Sequence, residues 1–436
     1  MILLNLKSMI NIKSFYNFED ENISCIYIKS EKYNILINCG ILHPNMPFEM
    51  FPFDPKLIDF LFLSSADIKE SGLIPRLIKE GFDGEIYSTK ETFELYDYII
   101  KNAALIEKEG IQQNKHYMLY DNVSINKSLS MFSFLDKRSE VIYDDLSLQI
   151  FFSGYMPGSF SIKLMIEGKS LIILSNLCAS DQHMYKKDTI KIKQGDIVVI
   201  QGYSVNDECN YKNDIMKFDN MLDKAILAEG NILFPVFSPV AIFNILSQLD
   251  KFFISKNIDN IPIFIDGLFF DKFIKFLNTH KYKYNLPIDN INYIGDSSKS
   301  LRLVQKSLSK IDKRRTVQSQ VIIASGERMI NYLKKNAVFK KTAIILTEAT
   351  TKGTFEYEIE NHTDISYKDK YYKIRANVVQ CLSFSGYICY DDIMPLLNNV
   401  GINIIQMGGS DYLLERLNNA NNVIEKRLSG ETYILK

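Results

Sequence analysis

The chain has 436 residues, of which 46% are hydrophobic and 24% charged, with a net charge of -1. That length exceeds one ordinary core, so two domains, or one domain with a large insert, are expected. Near-neutrality excludes a protein that coats nucleic acid over its whole surface, and any polyanion contact has to come from a local patch. Six cysteines (Cys25, Cys39, Cys178, Cys209, Cys381, Cys389) lie scattered with no C-x-x-C pair. They suit reduced thiols in a cytosolic or nuclear protein better than a disulfide framework or a zinc cluster. The first residues lack a cationic start followed by a long apolar core, so no secretory signal is expected. No run approaches about 18 apolar residues, and no membrane partner is expected.

In chain order, residues 23–29 and 33–40 read as a hairpin-like pair of strands closed by Gly40. Residues 57–65 read as a buried strand ending in small polar residues. Residues 71–81 have helical apolar spacing closed by Gly81, and 82–88 restart a strand. A helix over 89–108 is followed by strands at 146–152, 161–167, 170–175 and 196–201. From about residue 204 helices alternate with strands: helices at 215–229, 240–253 and 269–280, strands at 230–235, 261–266, 320–326 and 343–347. Such alternation predicts a parallel sheet. The expected organisation is 9–203, an insert at 204–369, and a closing segment at 370–436.

The order of these segments resembles the metallo-β-lactamase/β-CASP RNA-processing nucleases, the family of bacterial RNase J and of the eukaryotic pre-mRNA 3′-end endonuclease. Ile35-Leu-Ile-Asn-Cys-Gly is similar to the family's strand ending in Asp-Cys-Gly. Residues 53–77 resemble its first active-site loop and the helix that follows. Asn231-Ile-Leu-Phe-Pro-Val-Phe-Ser, Ile261-Pro-Ile-Phe-Ile-Asp, Val321-Ile-Ile-Ala-Ser-Gly and Ile344-Ile-Leu-Thr resemble segments of the inserted β-CASP domain. The resemblance implies an α/β fold: a metallo-β-lactamase αββα sandwich carrying a β-CASP β/α domain.

It also implies a chemistry, which this chain's residues do not match. In the family, two zinc ions held by His and carboxylate turn a bound water into the hydroxide that attacks the phosphodiester. The family loop reads Thr-His-x-His-x-Asp-His-Ser-Gly; here it reads Ser64-Ser-Ala-Asp-Ile-Lys-Glu-Ser-Gly72. Ser65, Asp67, Lys69 and Glu70 thus stand at ligand positions, and the Lys69 ammonium has no lone pair and repels a dication. Tyr155 stands where the family has the His of Gly-His, and Asn176 replaces the bridging Asp. Gln201 replaces the acid of the Glu-Ser-Thr-Tyr segment, Tyr387 a later His, and Gly408 the last one. None of His43, His116, His183, His280 and His362 falls on a motif position. The resemblance therefore implies no catalytic residue and no zinc cofactor, and a role similar to the inactive β-CASP subunit of the 3′-end cleavage complex. RNA and an active β-CASP nuclease are its expected partners. An active hydrolase with an altered metal site is the alternative.

Two smaller readings stay open. Asp67 and Glu70, helped by Asn176, suit a hard cation such as Mg²⁺ or Ca²⁺, or form an ion pair with Lys69 on a former active-site rim. Lys299, Arg302, Lys306, Lys310, Lys313, Arg314 and Arg315 form a basic run broken only by Asp312. They suit either a stripe toward RNA phosphates or a solvated helix face.

Overall fold

Alternation of apolar residues along the early strands decides which face of each meets the interior. The computed structural model describes residues 9–16, 24–41, 48, 50–110, 119–137, 140–143, 145–175, 177, 188–201, 205–206, 210–236, 238–258, 261–266, 276, 279, 291–294, 319–348, 350, 355–367, 370–385, 388–397, 403–407, 423–427 and 431–435. It divides into two units, residues 1–207 with 390–436, and residues 208–389.

The first unit holds two seven-stranded sheets. One runs, edge to edge, Thr432–Leu435, Ile10–Tyr16, Ser24–Lys29, Asn34–Gly40, Phe60–Phe62, Glu85–Ser88 and Phe132–Phe134. Its first four strands pair antiparallel and the rest parallel. The other runs Val423–Arg427, Asn403–Met407, Ile197–Gln201, Lys169–Leu174, Phe160–Ile166, Leu146–Phe152 and Glu140–Tyr143. Closing-segment strands thus lie at an edge of each sheet, and Asn403–Met407 pairs in parallel with Ile197–Gln201.

Ile26, Ile28, Ile35, Ile37 and Phe62 of the first sheet pack into one buried cluster with Leu148, Ile150, Ile162, Leu164 and Ile173 of the second. Each such side chain contributes about 1.5–3 kcal/mol on burial. Leu36 and Leu61, one position off, face away from that cluster and, like Cys39, are fully buried. Over them lie the helices Ile68–Ser71, Ile74–Lys79, Lys90–Gly110 and Asn122–Ser130. The architecture is the αββα sandwich.

The second unit is built on six parallel strands in the order Ile291–Ile294, Ile263–Asp266, Val321–Ala324, Ile232–Pro235, Ala343–Leu346, Asn377–Gln380. Gly326–Asn336 and Phe355–Asn361 pack on the face that carries Leu233, Ile322 and Ile344. Tyr211–Leu227 lies on the opposite face, where Phe218 meets Phe234 with ring centroids 5.4 Å apart. The unit extends past the boundary expected at 369. Asn377–Gln380 pairs in register with Ala343–Leu346, so the chain re-enters the first unit at Tyr390. An apolar strand does not reveal which of two sheets it completes.

The expected helix over 71–81 is instead two pieces, Ile68–Ser71 and Ile74–Lys79. The Leu73 N–H donates to Cys39 O at 2.8 Å and not to a helical partner, and Pro75 opens the second piece. All but Phe276 and Thr279 of the expected helix at 269–280, and the whole basic run 299–315, lie outside the described residues. Among the described residues no helix is long and apolar enough to cross a membrane. Cys25, Cys39 and Cys381 are free thiols in buried positions.

Candidate functional site

The loop that follows the strand Phe60–Phe62 is fixed from below by Asn38. This residue sits at φ 61°, a left-handed conformation that Asn tolerates better than most residues. Its Oδ1 accepts from the Ser64 N–H at 2.9 Å and from the Ser64 hydroxyl at 3.0 Å. Asp67 then caps the helix Ile68–Ser71, its Oδ1 accepting from Lys69 N–H at 3.1 Å. The Ser71 hydroxyl donates to Ala66 O at 3.0 Å and Asp67 O at 2.9 Å, tightening the turn. Gly40 lies against this turn so closely that a Cβ would stand 1.7 Å from Lys69 O. Only glycine permits that approach.

A second loop, residues 153–160, meets the first. Two left-handed glycines, Gly154 at φ 79° and Gly158 at φ 78°, turn it back so that Ser153 N–H donates to Ser159 O at 2.9 Å. Phe160 N–H then donates to Ser64 O at 3.0 Å, and the Thr89 hydroxyl to Gly158 O at 2.8 Å. Ser65 Oγ lies 3.6 Å from Met156 Sδ. Where the loops touch, the Tyr155 hydroxyl donates to Asp67 Oδ2 at 2.8 Å. Asp67 is 3% exposed and Tyr155 2%. Glu70, one helical turn from Asp67, is buried as well.

The structure thus joins Asp67 to Tyr155 and places Ser65 beside the same loop. Gln201 ends its strand in the second sheet, buried and in register with Met407. Asn176, Tyr387 and Gly408 lie outside the described residues. Sequence reading did not assign Asn38 a supporting role. Its only signal was the amide in a strand otherwise ending like the family's Asp-Cys-Gly.

A two-zinc centre needs several lone pairs converging at about 2 Å on each ion. Among the described residues no three His, Cys, Asp or Glu side chains converge. Both oxygens of Asp67 already accept, one from a backbone N–H and one from a phenol. Tyr155 presents a phenol at the position where the resemblance implies an imidazole. The donors brought together here do not fit two zinc ions, and no step through a metal is derived.

The paired sheets and the parallel-stranded second unit define an α/β protein, and comparison with known proteins shows what it is similar to. The chain is 24% identical over 401 residues to a probable RNase of Methanocaldococcus jannaschii, covering 88% of this chain and 90% of that one. It is 20% identical over 394 residues to a ribonuclease of Thermus thermophilus, covering 87% and 89%. A third relative, cleavage and polyadenylation specificity factor subunit 3-I of Arabidopsis thaliana, is 21% identical over 352 residues, 78% of this chain and 50% of that protein. No family model matches the chain. The crystal structure of a protein of unknown function from Enterococcus faecalis V583 shares the fold, with a TM-score of 0.52 at 11% identity over 98% of this chain and 100% of that one. Over most of its length the chain is thus similar to metallo-β-lactamase/β-CASP family nucleases, at low identity.

Proposed function

We propose that this chain is a non-catalytic β-CASP protein that serves RNA processing as an RNA-binding or scaffold subunit. One observation carries the reading: the aspartate of the former ligand loop is buried and held by the Tyr155 hydroxyl. A metal-activated hydroxide requires an ion with an open position, and here a side-chain hydrogen bond links the two loops instead. Lys69 adds a positive charge on the same turn, which disfavours a dication further. Asn176 and Gln201, amides at positions of family carboxylates, fit the same pattern. A neutral amide keeps the shape and some of the hydrogen bonds of the acid while removing the charge that would balance zinc.

The relatives support the RNA-processing half of the reading, since they include ribonucleases and a cleavage and polyadenylation factor. An active nuclease of the same family is the partner a scaffold subunit would hold.

The test is to incubate the purified chain with 5′-labelled single-stranded RNA in Mg²⁺, Mn²⁺ or Zn²⁺, following binding and cleavage together. Retained RNA with no product is expected. Metal-dependent cleavage that disappears in Asp67→Asn would overturn the proposal and restore the hydrolase.

A further inference from the structure

We propose that the second unit carries its own contact surface for single-stranded RNA, formed by the turn after the helix Gly326–Asn336 and the outward face of residues 371–375. The inference rests on the RNA-processing reading above and adds a place for the contact.

Backbone hydrogen bonds hold the two stretches together. Arg375 and Ala376 N–H groups donate to Ala337 O at 2.8 and 2.9 Å, and Thr342 N–H donates to Phe339 O at 3.1 Å. The Asn377 side-chain amide donates to Lys340 O at 2.8 Å. Along 371–375 the side chains alternate: Ile374 is buried and Tyr372 packs on the core, while Tyr371, Lys373 and Arg375 are exposed. In extended chain these three outward positions span about 13 Å.

Charge on this surface is one-sided. Lys335, Lys340, Lys341, Lys373 and Arg375 are all exposed, and none forms an ion pair with a described residue. No acidic residue occurs in 329–347 or in 370–390. Asp364, cross-strand from Lys373, accepts from the Tyr371 hydroxyl, and Asp369 precedes the second stretch in sequence. Lys334, by contrast, lies over the rings of Phe355 and Tyr372, each 5.9 Å away, and belongs to the packing.

The same two stretches carry two exposed aromatic rings, Phe339 at 52% and Tyr371 at 71%. Exposed rings among unpaired cations are what single-stranded nucleic acid uses: phosphates meet the charges and unstacked bases lie on the rings. Single-stranded RNA engages both features at once, its phosphates on the charges and its bases on the rings.

The experiment measures binding of a fluorescent single-stranded oligouridine to the full chain across salt concentrations. With four to five phosphates neutralised, log affinity should fall with log salt at a slope of about -3. Phe339→Ala and Tyr371→Ala should each weaken binding roughly 5- to 160-fold. Lys340→Ala with Lys341→Ala should flatten the slope by about 1.4. All these positions are exposed, and unchanged circular dichroism confirms that the variants fold. Asp364→Asn should bind at least as tightly as the parent. RNA binding that none of these changes alters would overturn the surface while leaving the RNA-processing reading intact. Competition by polyglutamate as effective as by RNA, with the ring variants silent, would also overturn it. RNA cleavage at an intact salt slope would instead overturn only the non-catalytic reading.

Discussion

The Tyr155 hydroxyl donates to the Asp67 carboxylate at 2.8 Å, across 88 residues of sequence and with both side chains buried. This bond ties the loop of residues 64–72 to the loop of residues 153–160. Asp67 does two jobs, capping the helix Ile68–Ser71 through one oxygen and accepting from Tyr155 through the other. Its neighbours are arranged for those jobs, with Asn38 fixing Ser64 and Gly40 admitting the Lys69 carbonyl.

If that bond holds the loops, removing the phenol oxygen should be felt as stability. Tyr155→Phe leaves a buried carboxylate short of a donor and should cost about 1–3 kcal/mol, read as a lower midpoint in urea with unchanged slope. Added EDTA should not shift the parent's midpoint. A Tyr155→Phe protein as stable as the parent would show that the contact contributes nothing.

Gly40→Ala places a methyl group 1.7 Å from Lys69 O, against backbone that cannot rotate away. The strand end and the Asp67 turn must then separate, at a cost of about 2–3 kcal/mol or more. Gly168→Ala is the control, since nothing lies within 4 Å of its added Cβ. Its cost should come from its φ of +76° alone. Equal melting shifts for the two variants would remove the close approach as the reason for Gly40.

Acid sensitivity should have one identifiable source in the second sheet. Burial pushes the Asp196 carboxyl up, but the Lys163 ammonium, the Ser170 hydroxyl and the Lys193 N–H outweigh it and hold it below its usual value. A depressed acid stabilises the fold above its unfolded pKa of about 3.9, and that contribution is lost as pH falls through the folded value. Burial raises Glu356, whose contribution has the opposite sign. Asp196→Asn should therefore destabilise at neutral pH and lose less further stability below about pH 4 than the parent does. Parallel stability curves for the two proteins through that range would contradict the assignment.

Much of the fold was legible from alternation and punctuation. The hairpin of Ser24–Lys29 and Asn34–Gly40 follows from apolar runs closed by a glycine, and Leu146–Phe152 from strict alternation. The break at Leu73 was not legible, because the partner that takes its N–H is Cys39 O, a tertiary contact. Nor was the boundary at Tyr390, since Asn377–Gln380 carries nothing that says which sheet it joins. At the site, the residue types at the motif positions could be read directly. What Tyr155 does there could not, because a hydrogen bond between positions this distant leaves no mark in local pattern. The left-handed backbone of Asn38 was equally hidden.

The central claim is that the loops of residues 64–72 and 153–160 hold each other without metal. The most direct test is the zinc content of the purified full-length protein, by elemental analysis after mild dialysis against metal-free buffer. The account expects well below one zinc per chain, and the same result after reconstitution with excess zinc and a second dialysis. Two zinc ions per chain, lost together in Asp67→Asn, would contradict it.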